Sequence, residues 1–150
     1  MEFLGKPVAG LNCAVGYMTQ TDTLLPWRTA LGNMLLPLEI RKDAPRERRT
    51  LAERHLELVG LASFARHYPS QLSGGMRRRL MLGRTLISEP QTILMDEPFG
   101  ALDAQLKLVM QEELLKIWTA SRSTILFVTH DIAEAITLGT RVVLLSASPS

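Results

Sequence analysis

An apolar stretch that ends in two acidic residues could carry out phosphate chemistry. Residues 93–95 are Ile-Leu-Met, and Asp96 and Glu97 follow them directly. If the stretch is a strand of a parallel sheet, its carboxyl end lies at the edge where ligands bind in open α/β folds. There, one carboxylate could hold Mg²⁺ while the next polarises a water toward a phosphate. An acidic pair after a strand is also common without a function, so the pair alone leaves both interpretations open.

A second segment that could bind a ligand is Leu-Ser-Gly-Gly at 72–75, ahead of a predicted helix over 76–87. The two glycines allow close backbone approach, the hydroxyl of Ser73 is a ligand group, and the helix start presents free N–H groups, so the segment could hold a phosphate. A capped turn entering a helix uses the same residues, and in isolation that structural interpretation is favoured. His130 and Gln20 each follow a predicted strand, and each taken alone is more often structural.

Short apolar runs alternate with stretches of helical periodicity, which is typical of a parallel sheet with crossover helices. The four runs of strand length are Ala14–Met18, Thr92–Met95, Ile125–Val128 and Val142–Leu145. Apolar residues at helical spacing predict an amphipathic helix that contains Leu106, Val109, Met110, Leu114 and Ile117. Asp103 is placed to cap this helix, and a shorter helix is predicted over 131–138, ended by Gly139.

Residues from Thr21 to about Ile87 differ in character and predict a helical insertion between two strands. Pro26, Pro37 and Pro45 break its first part, and helical periodicity then runs over 46–59 and ends at Gly60. Acidic residues are interspersed among its basic residues, which favours a solvated helix face over a phosphate-binding patch. The basic residues concerned are Arg41, Lys42, Arg46, Arg48, Arg49 and Arg54.

The composition excludes several classes of protein. The 150 residues suffice for about one domain with a core, and 17 basic against 15 acidic residues give a net charge of only +2, which argues against a nucleic-acid partner. The single cysteine, Cys13, excludes an internal disulfide framework, fits a reducing compartment and is predicted to lie in the core. No apolar run approaches the roughly 18 residues of a membrane span, so contact with a membrane is expected through a partner.

The order and spacing of these segments resemble the ATP-binding subunit of ABC transporters. Gln20 resembles the family's Q-loop and His130 its switch histidine; Leu72–Met76, Asp96-Glu97 and Ala101–Asp103 resemble the signature motif, the Walker B end and the D-loop. Leu25-Pro26-Trp27 and Met76 resemble the nitrate, sulfonate and taurine importer branch. The resemblance implies an α/β fold over 1–150: a P-loop NTPase-type ABC nucleotide-binding domain with a parallel sheet and a helical subdomain inserted at 21–76.

The resemblance also implies roles for individual residues. Asp96 and Gln20 would hold Mg²⁺, Glu97 would polarise the attacking water, and His130 would contact the γ-phosphate of ATP. The ATP bound by a second domain would be contacted by Ser73, Gly74 and Gly75. Gln20 would also contribute to nucleotide binding. Asp103 would make contacts across the dimer.

The implied function is ATP hydrolysis coupled to solute import. The implied partners are transmembrane permease subunits and a second nucleotide-binding domain, at the cytoplasmic face of the cell membrane. No nucleic acid is implied.

The sequence departs from the family pattern in several places. Arg78 stands where Gln is usual, and Gly83 and Thr85 stand where small alanines usually pack. The Gly-x-x-x-x-Gly-Lys-Ser/Thr motif of a P-loop is absent, since Gly5-Lys6-Pro7 lacks both the earlier glycine and the hydroxyl. Residues 5–9 instead predict a turn before the first long strand.

Because the P-loop of the family lies upstream of this point, its absence predicts an amino-terminally truncated nucleotide-binding domain, whereas the other departures are expected to be tolerated. Losing three charge-assisted hydrogen bonds at roughly 1.5 to 3 kcal/mol each lowers affinity by about three to six orders of magnitude, so the chain alone is expected neither to bind nor to hydrolyse ATP appreciably. The strand over 142–145 is expected to be displaced, re-paired or poorly held, because in the family the P-loop strand lies beside it. The alternatives are a non-catalytic partner that lends its signature motif to an intact domain, or a truncated gene product without its own role.

Overall fold

The computed structural model describes residues 2–3, 6–7, 14–100, 102–121 and 123–145. Cys13, Ala101 and most of the turn predicted over 5–9 lie outside the described residues. The strands are β1 (Glu2–Phe3), β2 (Lys6–Pro7), β3 (Val15–Met18), β4 (Thr92–Asp96) and β5 (Thr124–Val128). The helices are α1 (Ala30–Arg41), α2 (Pro45–Leu58), α3 (Gly74–Leu86), α4 (Ala104–Ser121) and α5 (Ile132–Leu138), with short 3₁₀ turns at Ala62–Phe64 and Pro69–Gln71.

The central element is a parallel sheet of three strands in the order β3-β4-β5. Three of the four predicted strands are therefore confirmed, with ends that differ by one residue. Met18 lies opposite Met95, and Asp96 lies opposite Val128. This register sets the three carboxyl ends side by side at one edge of the sheet. The small pair β1 and β2 is antiparallel and separate from it.

The prediction of a fourth strand at Val142–Leu145 is wrong. The four side chains are 57% to 89% exposed, and no strand hydrogen bonds form there. An apolar run forms a strand only where a neighbouring strand accepts its hydrogen bonds, and among the described residues β5 pairs with β4 alone. The expectation that this run would be displaced or poorly held agrees with the structure.

The helices between β3 and β4 follow the predicted insertion, with one correction. Pro37 does not break the first helix but lies within α1. A proline removes one helical hydrogen bond, and here α1 continues through it because Met34 and Leu38 are fully buried against the rest of the core. Pro45 begins α2 at its first turn, and Gly60 ends that region with φ of 68°. The basic residues of this region are mostly exposed, as predicted.

Helix α3 packs closely against α1 because Gly83 has no side chain. A Cβ at this position would lie 2.7 Å from Cε of Met34 and 3.1 Å from Cγ1 of Val59. The glycine that departs from the family pattern thus fits the space available at this helix crossing. The cost of about 0.5 to 1 kcal/mol for a glycine within a helix is offset by the contact it allows.

Helix α4 begins directly after Asp103, as predicted, and the amide of Lys107 donates to the Asp103 carbonyl at 2.9 Å. Met110 and Leu114 are buried, but Val109 is 44% exposed and does not belong to the buried stripe. None of the helices in the described part of the chain combines the length and the apolar character needed to span a bilayer.

Candidate functional site

The carboxylate of Glu97 lies between two side chains that the sequence singled out. Nε2 of Gln20 donates to Glu97 Oε2 at 3.1 Å, and Nδ1 of His130 lies 3.0 Å from Glu97 Oε1. These three residues are 77 and 33 positions apart in the chain. The glutamate is partly buried and the histidine is largely exposed, so the group opens to solvent.

The sheet explains why these residues meet. Gln20, Glu97 and His130 follow the carboxyl ends of β3, β4 and β5, which are neighbours in the sheet. Glu97 leaves its strand with φ of 44°, a left-handed conformation that is uncommon for a residue with a side chain. Its amide still donates to the carbonyl of Val128 at 2.9 Å, which ties the turn to β5.

Asp96 is the last residue of β4 and is partly buried beside this group. Within the described residues, no three His, Cys, Asp or Glu side chains come together as a ready-made metal site. Mg²⁺ commonly takes only one or two carboxylates from a protein and completes its shell with water and substrate phosphates. The oxygen atoms of Asp96 and Gln20 fit that donor set.

The segment 72–75 forms the start of α3. The hydroxyl of Ser73 caps the helix by accepting the amide of Met76 at 3.2 Å, which is the structural role predicted for it. Ser73 and Gly74 are exposed, and a Cβ on Gly74 would meet nothing within 4 Å. Gly75 is buried. The first turn of α3 is therefore open to a ligand or a second molecule.

A cavity of about 160 Å³ joins the start of α3 to two other predicted segments. Gly74 lines it together with Leu102, which precedes Asp103, and with Asp22, which follows Gln20. Asp103 is exposed. The cavity thus brings the surroundings of the Q-loop, signature and D-loop residues together.

The two neighbours of His130 in the chain, Thr129 and Asp131, belong to a polar network that the sequence did not reveal. Asp131 caps α5 through the amides of residues 133 and 134, and Nζ of Lys107 lies 2.9 Å from both Asp131 Oδ2 and Glu134 Oε1. The buried Glu134 also accepts the hydroxyl of Thr129 at 2.5 Å. Hydrogen bonds to Glu134 and Asp131 raise the pKa of Lys107, and the bond from Lys107 lowers the pKa of Asp131.

Sequence reasoning also missed three arginines of α3 that contact the segment following β3. These are Arg77, Arg78 and Arg84. Arg78 was noted only as a departure from the family pattern. Their repeated occurrence on one helix was the available signal, but without the fold nothing indicated which segment they would face.

Comparison with known proteins identifies the family. The ABC transporter family matches residues 4–100. An ABC transporter ATP-binding protein of Methanocaldococcus jannaschii is 47% identical over 145 residues, which are 97% of this chain and 54% of that protein. The taurine import ATP-binding protein TauB of Chromobacterium violaceum is 46% identical over 149 residues, which are 99% of this chain and 57% of that protein.

Solved structures give the same result. One similar solved structure is the dimeric structure of a post-hydrolysis state of an ATP-binding cassette bound to ADP and Pi. The two chains superpose with a TM-score of 0.73 at 36% sequence identity, and the match covers 82% of this chain and 55% of that one. The chain spans about half the length of the curated relatives it matches. The fold is that of ABC ATPase cassettes. With the family match over residues 4–100, these similarities show that the chain belongs to the ABC transporter family.

Proposed function

We propose that this chain acts as the nucleotide-binding subunit of an ABC importer, in which ATP hydrolysis drives uptake of a solute. The observation that carries the proposal is the position of the Glu97 carboxylate, between Gln20 and His130 at the carboxyl ends of three parallel strands. The relative named for taurine import supports an importer. The solute itself would be selected by other subunits.

In this proposal Glu97 is the general base that polarises the attacking water. Each of its oxygens accepts one contact in this structure, and a carboxylate oxygen has a second lone pair that can accept from water. His130 would donate to the γ-phosphate, since its exposed ring lies at the same edge. Gln20 would orient the water and the metal.

Asp96 and Gln20 would hold Mg²⁺ through oxygen. The ion would neutralise charge on the β- and γ-phosphates when bound. Ser73, Gly74 and Gly75 would contact the nucleotide of a second domain, because Ser73 and Gly74 are exposed at the start of α3, where the helix dipole favours a phosphate. Asp103 would contact that second domain.

The proposed assembly contains permease subunits and two nucleotide-binding domains at the cytoplasmic face of the membrane. The helices within 21–76 are the proposed docking subdomain for the permease. No P-loop motif occurs in these 150 residues, so we expect them by themselves to bind ATP weakly and to hydrolyse it poorly.

A chimera tests the proposal. The part of the TauB relative that the match does not cover would be joined to this chain to make a cassette of full length, and ATP hydrolysis would be measured. We expect activity that Glu97→Gln lowers by about 10²- to 10⁴-fold, the contribution of a general base. Glu113→Gln is the matched control, since Glu113 pairs with Lys116 within α4, away from the carboxyl ends of the strands. An active chimera that is indifferent to Glu97→Gln would refute the role of Glu97.

A second candidate is a non-catalytic partner that contributes Ser73–Gly75 to the ATP of an intact domain. The exposed, unobstructed start of α3 favours it. Mixing the chain with an intact cassette should then produce a complex only with ATP present, detected by gel filtration. Absence of ATP-dependent association would rule this candidate out.

A further inference from the structure

Arginines of α3 hold the segment that contains Gln20. Arg77 Nε lies 3.0 Å from Oδ2 of Asp22, and Arg84 Nη1 donates to the Thr23 carbonyl at 2.8 Å. These two contacts fix the part of the segment that follows Gln20. They leave the orientation of Gln20 itself to another side chain.

Arg78 supplies that remaining contact. Its Nη1 donates to the Thr19 carbonyl at 3.1 Å, and its Nη2 donates to the carbonyl of Gln20. The two carbonyls belong to the peptide groups on either side of the Gln20 Cα. Holding both peptide groups determines the direction of the Cα–Cβ bond, and the side chain then reaches Glu97 at 3.1 Å.

The chemistry of Arg78 suits this task. The planar guanidinium presents several N–H donors in a fixed fork, so one group can hold two carbonyls in a defined geometry. Arg78 is partly buried, and this burial lowers its pKa although it remains charged. The Gln that is usual at this position ends closer to the helix backbone and would reach the two carbonyls less readily.

We propose that Arg78 is a positioning residue that directs Gln20 toward Glu97 and couples this contact to the signature helix α3. Any displacement of α3 would then move Gln20 relative to the carboxylate. The significance for hydrolysis rests on the proposed function, but the contact itself can be tested without nucleotide. A failure of the proposal is therefore distinct from a failure of the function.

The test compares Arg78→Gln, Arg78→Lys and Arg79→Gln in the 150-residue chain. Arg79 is the matched control, because it is the next residue of α3 and donates to the Val59 carbonyl at 3.1 Å instead. NMR spectra would report the side-chain amide signals of Gln20, and Glu97→Gln would establish which shift reports its contact with Glu97. Hydrogen exchange at the amide of Leu24, which donates to Asp22 at 2.9 Å, would show whether the part of the segment held by Arg77 and Arg84 stays intact.

We expect Arg78→Gln to move the Gln20 side-chain signals as Glu97→Gln does, and to leave exchange at Leu24 within about twofold of the parent chain, because Arg77 and Arg84 still hold Asp22 and Thr23. Arg78→Lys should shift the Gln20 signals part of the way, because lysine keeps the charge but lacks the fork. Arg79→Gln should leave them in place. Unchanged Gln20 signals in the Arg78 variants would overturn the proposal, even if their stability fell. If Arg78→Gln does not fold, Arg78→Lys decides in the same way.

Discussion

Asn33 is a fully buried polar side chain that joins the loop before α1 to the helix itself. Its Nδ2 donates to the carbonyls of Leu25 at 3.1 Å, Arg28 at 3.0 Å and Thr29 at 3.1 Å, and its Oδ1 accepts the amide of Leu25 at 2.7 Å. No apolar side chain can replace these contacts. We therefore expect Asn33→Ala to be among the most destabilising single substitutions in the helical insertion.

The magnitude follows from which groups lose their partners. The Leu25 carbonyl also accepts the amide of Arg28, and the Thr29 carbonyl also accepts the amide of Asn33, so both keep a donor. The amide of Leu25, which is partly buried, and the carbonyl of Arg28 both lose Asn33 as a partner, and an unsatisfied donor shielded from water costs about 1 to 3 kcal/mol. With the net loss of the other hydrogen bonds, we expect the free energy of unfolding to fall by about 2 to 4 kcal/mol.

Urea unfolding followed by circular dichroism would measure this change. With a slope of about 2 kcal/mol per molar urea, the midpoint should fall by about 1 to 2 M. Asn33→Asp should destabilise at least as much, because it sets a carboxylate oxygen against three carbonyls. Ile40→Ala is the control on the same helix, since Ile40 is 67% exposed, and its effect should stay within about 0.5 kcal/mol. A loss below about 1 kcal/mol in Asn33→Ala would refute the reasoning.

Three further substitutions test other contacts. Gly83→Val should destabilise by about 1 kcal/mol or more in urea unfolding, because a branched side chain would overpack the space beside Met34 and Val59 and gains little helix propensity. Ser73→Ala should cost about 1 kcal/mol through the lost helix cap. In Asp131→Asn, the free energy of unfolding should fall less on acidification than in the parent chain. The reason is that Lys107 lowers the pKa of Asp131 below its ordinary value near 3.8. That carboxylate stabilises the fold above this value, and its contribution is lost as the pH falls through the folded-state pKa.

Each of these predictions has a control. Gly74→Val should be nearly neutral, since its Cβ would meet nothing within 4 Å; equal losses at both glycines would contradict the packing argument. Ser73→Thr should keep the cap, so a loss equal to that of Ser73→Ala would contradict capping. Asp131→Asn keeps a capping oxygen and removes only the charge. If its unfolding free energy follows the same pH curve as the parent chain, the ion pair is not the cause.

The periodicity of the sequence predicted three strands correctly. These predictions hold because each of the three strands is paired in the sheet. The same pattern failed at Val142–Leu145, since strand formation depends on a neighbour and not only on the apolar run. The prediction that Pro37 breaks the helix was wrong for a related reason, because packing of α1 outweighs the local preference of proline. Local patterns therefore predicted elements where tertiary contacts agree with them.

The site was predictable in part. The sequence indicated that Gln20, Glu97 and His130 each follow a strand, and the rule that carboxyl ends of parallel strands share one edge explains why they meet in the structure. The left-handed backbone of Glu97 could not be predicted, because that conformation is rare for a residue with a side chain. The role of Arg78 was equally inaccessible, since its partners are backbone carbonyls, which every residue possesses.

The pairing of Met18 with Met95 and of Asp96 with Val128 has a consequence for the evolution of this chain. Successive side chains of a strand point to opposite faces, so a slip of one residue would turn Gln20 away from Glu97. A single residue inserted between Met18 and Gln20 could leave the pairing of Met18 with Met95 in place and still move Gln20 away from Glu97. The number of residues between β3 and Gln20 therefore matters for the site as much as the identity of Gln20, so we expect this spacing to be kept in evolution.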